Sequence, residues 1–146
     1  MGSGSFPIWK AGEEYMIQGI GTDIVDIRRI KKALENPRFS EKFFTQEETR
    51  QTKMRPSSLA GNFAVKEAVA KALGTGFSNF GPEQIEVLRR PSGAPWVRLH
   101  GEAQKQMALQ NIDQILVSIS HEADYAVAFA VAVGRERWTE KEGEGK

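Results

Sequence analysis

The stretch NFAVKEAVAKALGTG, residues 62–76, decides the fold. At about 100° per residue, Leu59, Phe63, Val65, Val69, Ala72 and Leu73 cover more than half of a helix circumference. The segment therefore reads as a core helix surrounded by the rest of the chain, starting near Ser57 or Ser58 and running to Leu73. Such a helix has few exposed places for charge, yet it carries Lys66, Glu67 and Lys71. Glu67 and Lys71 stand four apart beside Ala60, Ala64 and Ala68, spacing suited to a surface pair. Lys66 projects within the arc bounded by Leu73 and Phe63. Burying one unpaired ion costs about several kcal/mol, so a compensating partner is expected. Gly74-Thr75-Gly76 fits a left-handed C-cap. A phosphate cradle there would have to overcome the negative pole of the helix with Lys66, Lys71, loop amides and a metal ion.

Upstream, MIQGIGTDIVDI is a glycine-punctuated strand expected to end near Asp23, and Asp26 is an N-cap candidate for a helix through Leu34 that Asn36-Pro37 closes. One face of that helix carries Arg28, Arg29, Lys31 and Lys32. Thr45 with Glu48 fits a capping box for a helix over residues 46–53, before Pro56 interrupts. Downstream, IEVLRR and PWVRL flank a turn-rich connector and read as a hairpin, followed by a helix over residues 101–109. In QILVSIS, and in YAVAFAVAV after HEAD, apolar residues alternate as in strands. The second strand has Tyr125, Val127, Phe129, Val131 and Val133 on one face and Ala126, Ala128, Ala130 and Ala132 on the other. An all-alanine face implies that a helix or a neighbouring chain lies unusually close to it.

The 146 residues suit one core. Basic and acidic side chains number 20 and 19, which leaves no chain-wide field to attract nucleic acid or an anionic membrane. Absence of cysteine excludes disulfides, thiolate metal sites and thiol nucleophiles. No signal peptide or long apolar span is evident, so a cytoplasmic protein is expected. Residues 1–15 read as an extension outside the domain, 16–134 as the domain and 135–146 as a charged tail.

Asp23 closes the glycine-punctuated strand beside Thr22, and by itself is an ordinary strand-end cap. Asp23 and Glu67 are hard oxygen donors, too few for a calcium cage but suited to Mg²⁺ completed by waters and substrate phosphates. That is the form of a nucleotide-pyrophosphate site.

GIGTDIVDIRRI (residues 19–30), FAVKEAVAKALGTG (63–76) and SISHEADYAVAFAVA (118–132) together resemble the holo-acyl-carrier-protein synthases, 4′-phosphopantetheinyl transferases of bacterial fatty-acid synthesis. The likeness covers residues 16–133, with FFTQEE, LAG and PSGAPWVRLHG in the expected order. It implies an α+β fold, an antiparallel sheet wrapped around a central helix, assembled as a homotrimer with sites between subunits. It implies transfer of the phosphopantetheine arm of coenzyme A to a serine of an acyl carrier protein, with Mg²⁺ and release of adenosine 3′,5′-bisphosphate. Asp23 and Glu67 would bind the metal, and Lys71 would stabilise the leaving group. Glu67, itself or through a water, would take the serine proton. Lys66, Lys71, Gly74, Thr75, Gly76 and His121 would contact the coenzyme, and Arg28, Arg29 and Lys32 the acidic carrier. Asn62 stands where the family commonly has arginine, so a phosphate contact is lost or supplied elsewhere. A non-catalytic carrier-binding module and a metal-dependent pyrophosphohydrolase are the alternatives weighed beside transfer.

Overall fold

The computed structural model describes Gly12 and residues 14–135. Most of the N-terminal extension and all of the tail beyond Arg135 lie outside the described residues. Strand β1 (Tyr15–Asp26) leads into helices α1 (Ile27–Ala33), α2 (Pro37–Phe43), α3 (Gln46–Thr52) and α4 (Pro56–Leu73). After a 3₁₀ turn at Pro82–Gln84 come the hairpin β2 (Ile85–Arg89) and β3 (Pro95–Leu99), helix α5 (Gly101–Leu109), and strands β4 (Ile112–His121) and β5 (Tyr125–Arg135). An antiparallel sheet of order β1-β5-β4 and the separate β2-β3 hairpin both pack on α4.

Helix α4 is the centre of the core. Leu59, Val65 and Val69 are fully buried and Leu73 nearly so, each contributing about 1.5–3 kcal/mol relative to exposure. The alanine face of β5 is what α4 rests on: Ala126, Ala128, Ala130 and Ala132 are buried, and of the two occupants the alanine pattern allows, the helix takes this face. Next to it, β1 offers Gly19 and Gly21. A Cβ built on Gly21 would stand 2.9 Å from both the Ala68 carbonyl carbon and the Ala72 nitrogen, and one on Gly19 would stand 3.1 Å from the Ala72 carbonyl carbon. The glycines thus let α4 lie directly on the strand. The opposite sheet face is open, with Ile24 63 % and Phe129 47 % exposed beside Ile17, Ile20, Tyr125 and Val127.

Several sequence expectations differ from the structure, and Pro56, expected to interrupt the chain, is the first residue of α4. Strand β1 continues beyond Asp23 to Asp26, because Ile24, Val25 and Asp26 keep pairing with Val127, Ala126 and Tyr125. Asn36-Pro37 closes α1 but also opens α2: the Asn36 side chain accepts from the Arg38 amide at 3.0 Å, and a proline in the first turn lacks only an amide that would have no helical partner. The Asp26 N-cap and the reciprocal Thr45–Glu48 box form as expected.

Candidate active site

Asp23 lies two residues beyond Gly21, so β-strand alternation turns it toward the same side as the glycines, the α4 side. Helix α4 supplies Glu67 and Lys71. The Lys71 Nζ donates to the Thr22 carbonyl at 2.8 Å and stands 3.4 Å from Asp23 Oδ1. Lys71 therefore bridges to β1 instead of forming the helical surface pair with Glu67 that its spacing allows. Partial burial raises the Glu67 carboxyl above its ordinary value, the charge of Asp23 raises it further, and Lys71 opposes both. Asp23 is thus brought from a distant strand into one patch with Glu67 and Lys71 of α4, and in that patch the two carboxylates repel each other.

This donor set fits a small hard cation. Among the described residues no group of three or more acidic or histidine side chains could cage a metal. A pair of carboxylates with space for waters and phosphate oxygens is the form Mg²⁺ accepts, and the cation would relieve the Asp23–Glu67 repulsion.

Lys66 corrects the sequence reading. It does not face a coenzyme: its side chain is 1 % exposed, and its Nζ donates to Glu48 Oε1 at 2.8 Å, the Ile85 carbonyl at 2.6 Å and the Pro82 carbonyl at 3.0 Å. All three ammonium hydrogens are taken. Burial lowers the Lys66 ammonium and raises the Glu48 carboxyl, and their mutual attraction opposes both effects. Asn62 joins the same network, donating to Glu48 Oε2 at 3.1 Å and to the Val87 carbonyl at 3.2 Å while its Oδ1 accepts from Arg89 at 2.5 Å. Position 62 is fully buried, so its side chain is spent inside the subunit.

Gly74 (φ 78°) and Gly76 (φ 59°) adopt the left-handed conformation, and Gly74 is the C-cap of α4. Within one chain His121 is remote from them. Gly61, near the other end of α4, meets the Ile119 side chain, whereas Gln110 donates to the Leu73 carbonyl. Thirteen residues of helical rise separate those ends by roughly 20 Å.

Beside Asp23 a groove of about 260 Å³ opens between β1, α1 and α2, with Asp26, Arg29, Ile30, Phe39 and Phe63 among its walls. Of the basic residues on α1, Arg29 lines this groove. Arg28 is committed locally: its guanidinium holds the Asp26 carboxylate at 2.9 Å, which lowers the Asp26 pKa and raises that of Arg28. Lys32 is exposed on the same helix. Phe39 was missed as a wall residue because α2 itself was missed; the Asn36-Pro37 helix opener followed by aromatic residues was its signal.

The 4′-phosphopantetheinyl transferase superfamily model matches residues 19–130. The chain belongs to this family. A holo-acyl-carrier-protein synthase of Alkaliphilus metalliredigens is 51 % identical over 121 residues, 80 % of this chain and 99 % of the relative. Among solved structures, the Helicobacter pylori holo-acyl-carrier-protein synthase in complex with coenzyme A aligns with TM-score 0.70 and 38 % identity, over 77 % of this chain and 98 % of that one. The Bacillus anthracis holo-acyl-carrier-protein synthase in complex with CoA (3′,5′-ADP) aligns with TM-score 0.68 and 32 % identity, over 82 % and 98 %. The chain is thus an α+β transferase of this family.

Proposed function

We propose that this enzyme transfers the 4′-phosphopantetheine group of coenzyme A to a serine hydroxyl of apo-acyl carrier protein in fatty-acid biosynthesis, with Mg²⁺ held by Asp23 and Glu67. The observation that carries this reading is the meeting of Asp23, Glu67 and Lys71 on facing elements. When bound, Mg²⁺ supplies charge neutralisation at the pyrophosphate. The serine oxygen bonds to the phosphorus bearing pantetheine while the bond from that phosphorus to the bridging oxygen breaks, releasing adenosine 3′,5′-bisphosphate. Glu67, directly or through a water, takes the hydroxyl proton; a carboxylate that holds a metal is a weak base, which favours the route through a water. The Lys71 ammonium, with its side chain 53 % exposed, offers positive charge to the departing bisphosphate. Gly74, Thr75 and Gly76 allow close backbone approach of the coenzyme.

The carrier protein docks along α1, where Arg29 at the groove and Lys32 present charge to an acidic partner; Arg28 supports Asp26 at the start of that helix. The open apolar sheet face supports self-association, because monomers rarely expose contiguous apolar patches of this kind, and the family resemblance makes the assembly a homotrimer. In the trimer His121 of one copy contacts the coenzyme on another, which accommodates its distance from Gly74–Gly76 within one chain. A cytoplasmic setting belongs to the same reading, and among the described residues no helix is long and apolar enough to cross a membrane.

Incubation with coenzyme A and Mg²⁺, with and without apo carrier, tests the reaction by intact mass. Carrier mass gain that needs Mg²⁺ and is lost in Asp23→Asn and Glu67→Gln supports transfer. Carrier-independent nucleotide release indicates a pyrophosphohydrolase, and neither product indicates a binding module.

A further inference from the structure

The proposed reaction leaves one buried charged group unused. Lys66 and Glu48 are among the largest fully buried side chains, and every atom of the pair is committed: Glu48 Oε1 receives Lys66 and the Thr45 amide, and Oε2 receives Asn62. The pair joins α3 to α4, and the same ammonium ties α4 to the backbone at Pro82 and Ile85. Apolar packing against alanines and glycines is smooth, so on the sheet side little fixes how far the helix turns about its axis. On the other side its bulky buried residues and Asn62 resist rotation, and an ammonium with three directional acceptors sets its angle most sharply.

We infer that Lys66 and Glu48 are positioning residues that set the rotation of α4 and thereby present the Glu67 carboxylate to Asp23. Residues 66 and 67 are consecutive, so the anchored ammonium and the site carboxylate leave the helix about 100° apart. On one side Gly19 and Gly21 bring β1 against Ala72 and Ala68. On the other side the ion pair holds the helix from behind. A turn of about 15° about the axis would move a side-chain terminus some 6–7 Å from that axis by roughly 1.5–2 Å, enough to separate two carboxylates that must share one ion. The pair itself touches no substrate, so its contribution is geometric. This inference rests on the proposed metal site, and its test separates the two.

Lys66→Met leaves the Glu48 carboxylate buried without its counter-ion, and its melting temperature falls. The double variant Lys66→Met/Glu48→Gln removes both charges, keeps an acceptor for the Thr45 amide and recovers part of that loss, the remainder being the Asn62 donor and the Pro82 and Ile85 carbonyls left without partners. Two readouts are taken on the folded double variant: the Mg²⁺ concentration giving half-maximal thermal stabilisation without substrates, and the rate of carrier mass gain. The expected result is a Mg²⁺ midpoint raised tenfold or more and kcat lowered at least tenfold, with KM for coenzyme A within about threefold of the parent. A stable double variant whose Mg²⁺ midpoint and kcat both stay within twofold of the parent overturns the inference. Failure of the double variant to fold also overturns it, since the pair would then be a requirement of folding. If the parent protein shows no stabilisation by Mg²⁺, the metal reading fails, and the change in kcat alone decides the role of the pair.

Discussion

Replacing Gly21 with alanine inserts one methyl group between β1 and α4, the two elements that carry Asp23 and Glu67. The new Cβ would stand 2.9 Å from the Ala68 carbonyl carbon and from the Ala72 nitrogen, whereas non-bonded carbon atoms settle at about 3.5–4.0 Å. Both obstacles are helix backbone, which cannot rotate aside, and the Ala68 carbonyl oxygen lies nearer still, so α4 must retreat by at least roughly 0.6–1 Å. Overpacking of this kind costs about 1–3 kcal/mol, and at about 4 °C per kcal/mol for a domain of this size the melting temperature drops by about 4–12 °C. The larger effect falls on chemistry, because an ångström of misplacement lowers kcat/KM by roughly 100-fold. The assay is the initial rate of carrier mass gain, measured well below either melting midpoint, beside Leu99→Ala on the hairpin strand β3 as a control for lost stability. Leu99 is buried in the core, and its truncation costs about 2–5 kcal/mol. The control should retain most of the parental rate. If Gly21→Ala melts lower yet keeps kcat/KM within twofold, the close approach of α4 to β1 does not set the site geometry and the reasoning is wrong.

Two further outcomes follow from the same structure. Arg29→Glu reverses the basic charge that lines the groove beside Asp23, and steady-state kinetics should show KM for carrier protein rising far more than KM for coenzyme A; equal changes would remove the docking role. Burial works against ionisation of Glu86, but hydrogen bonds from Thr45 at 2.6 Å and His100 at 2.9 Å, with Arg98 nearby, hold its pKa below the ordinary 4.5. The folded form then binds fewer protons than the unfolded form, so this stabilisation is complete above about pH 4.5 and disappears as pH falls through the lower folded value. Thermal melts across that acid range should show a shallower decline for Glu86→Gln, and an unchanged slope would count against it.

What the sequence made legible follows the range of the interaction concerned. The Thr45–Glu48 cap and the Asp26 cap are contacts within a few residues, so residue type and spacing announce them. The alanine face and the crowded helix were also readable, because periodicity alone marks surfaces that approach closely. The partner of Lys66 was not readable: Glu48 is eighteen residues away, and its capping role already accounted for its presence. The pairing of Asp23 with Glu67 was open to a reading by donor chemistry, but its assignment to one site with Lys71 needed the family resemblance, since nothing local in β1 indicates which helix will cross it. Asn36-Pro37 was ambiguous for a physical reason, because the pair that ends one helix is equally suited to begin the next.

Lys66 and Glu67 are neighbours with different destinations, one facing the interior and the other facing Asp23. A single-residue insertion or deletion between Gly61 and Lys66 would swing both by about 100°, a change no side-chain adjustment could repair. Length variation in this lineage should therefore gather outside the helix, in the connector where Lys53 and Met54 already take left-handed conformations or beyond Gly76. Evolution can respell this helix, but it cannot change how many letters it has.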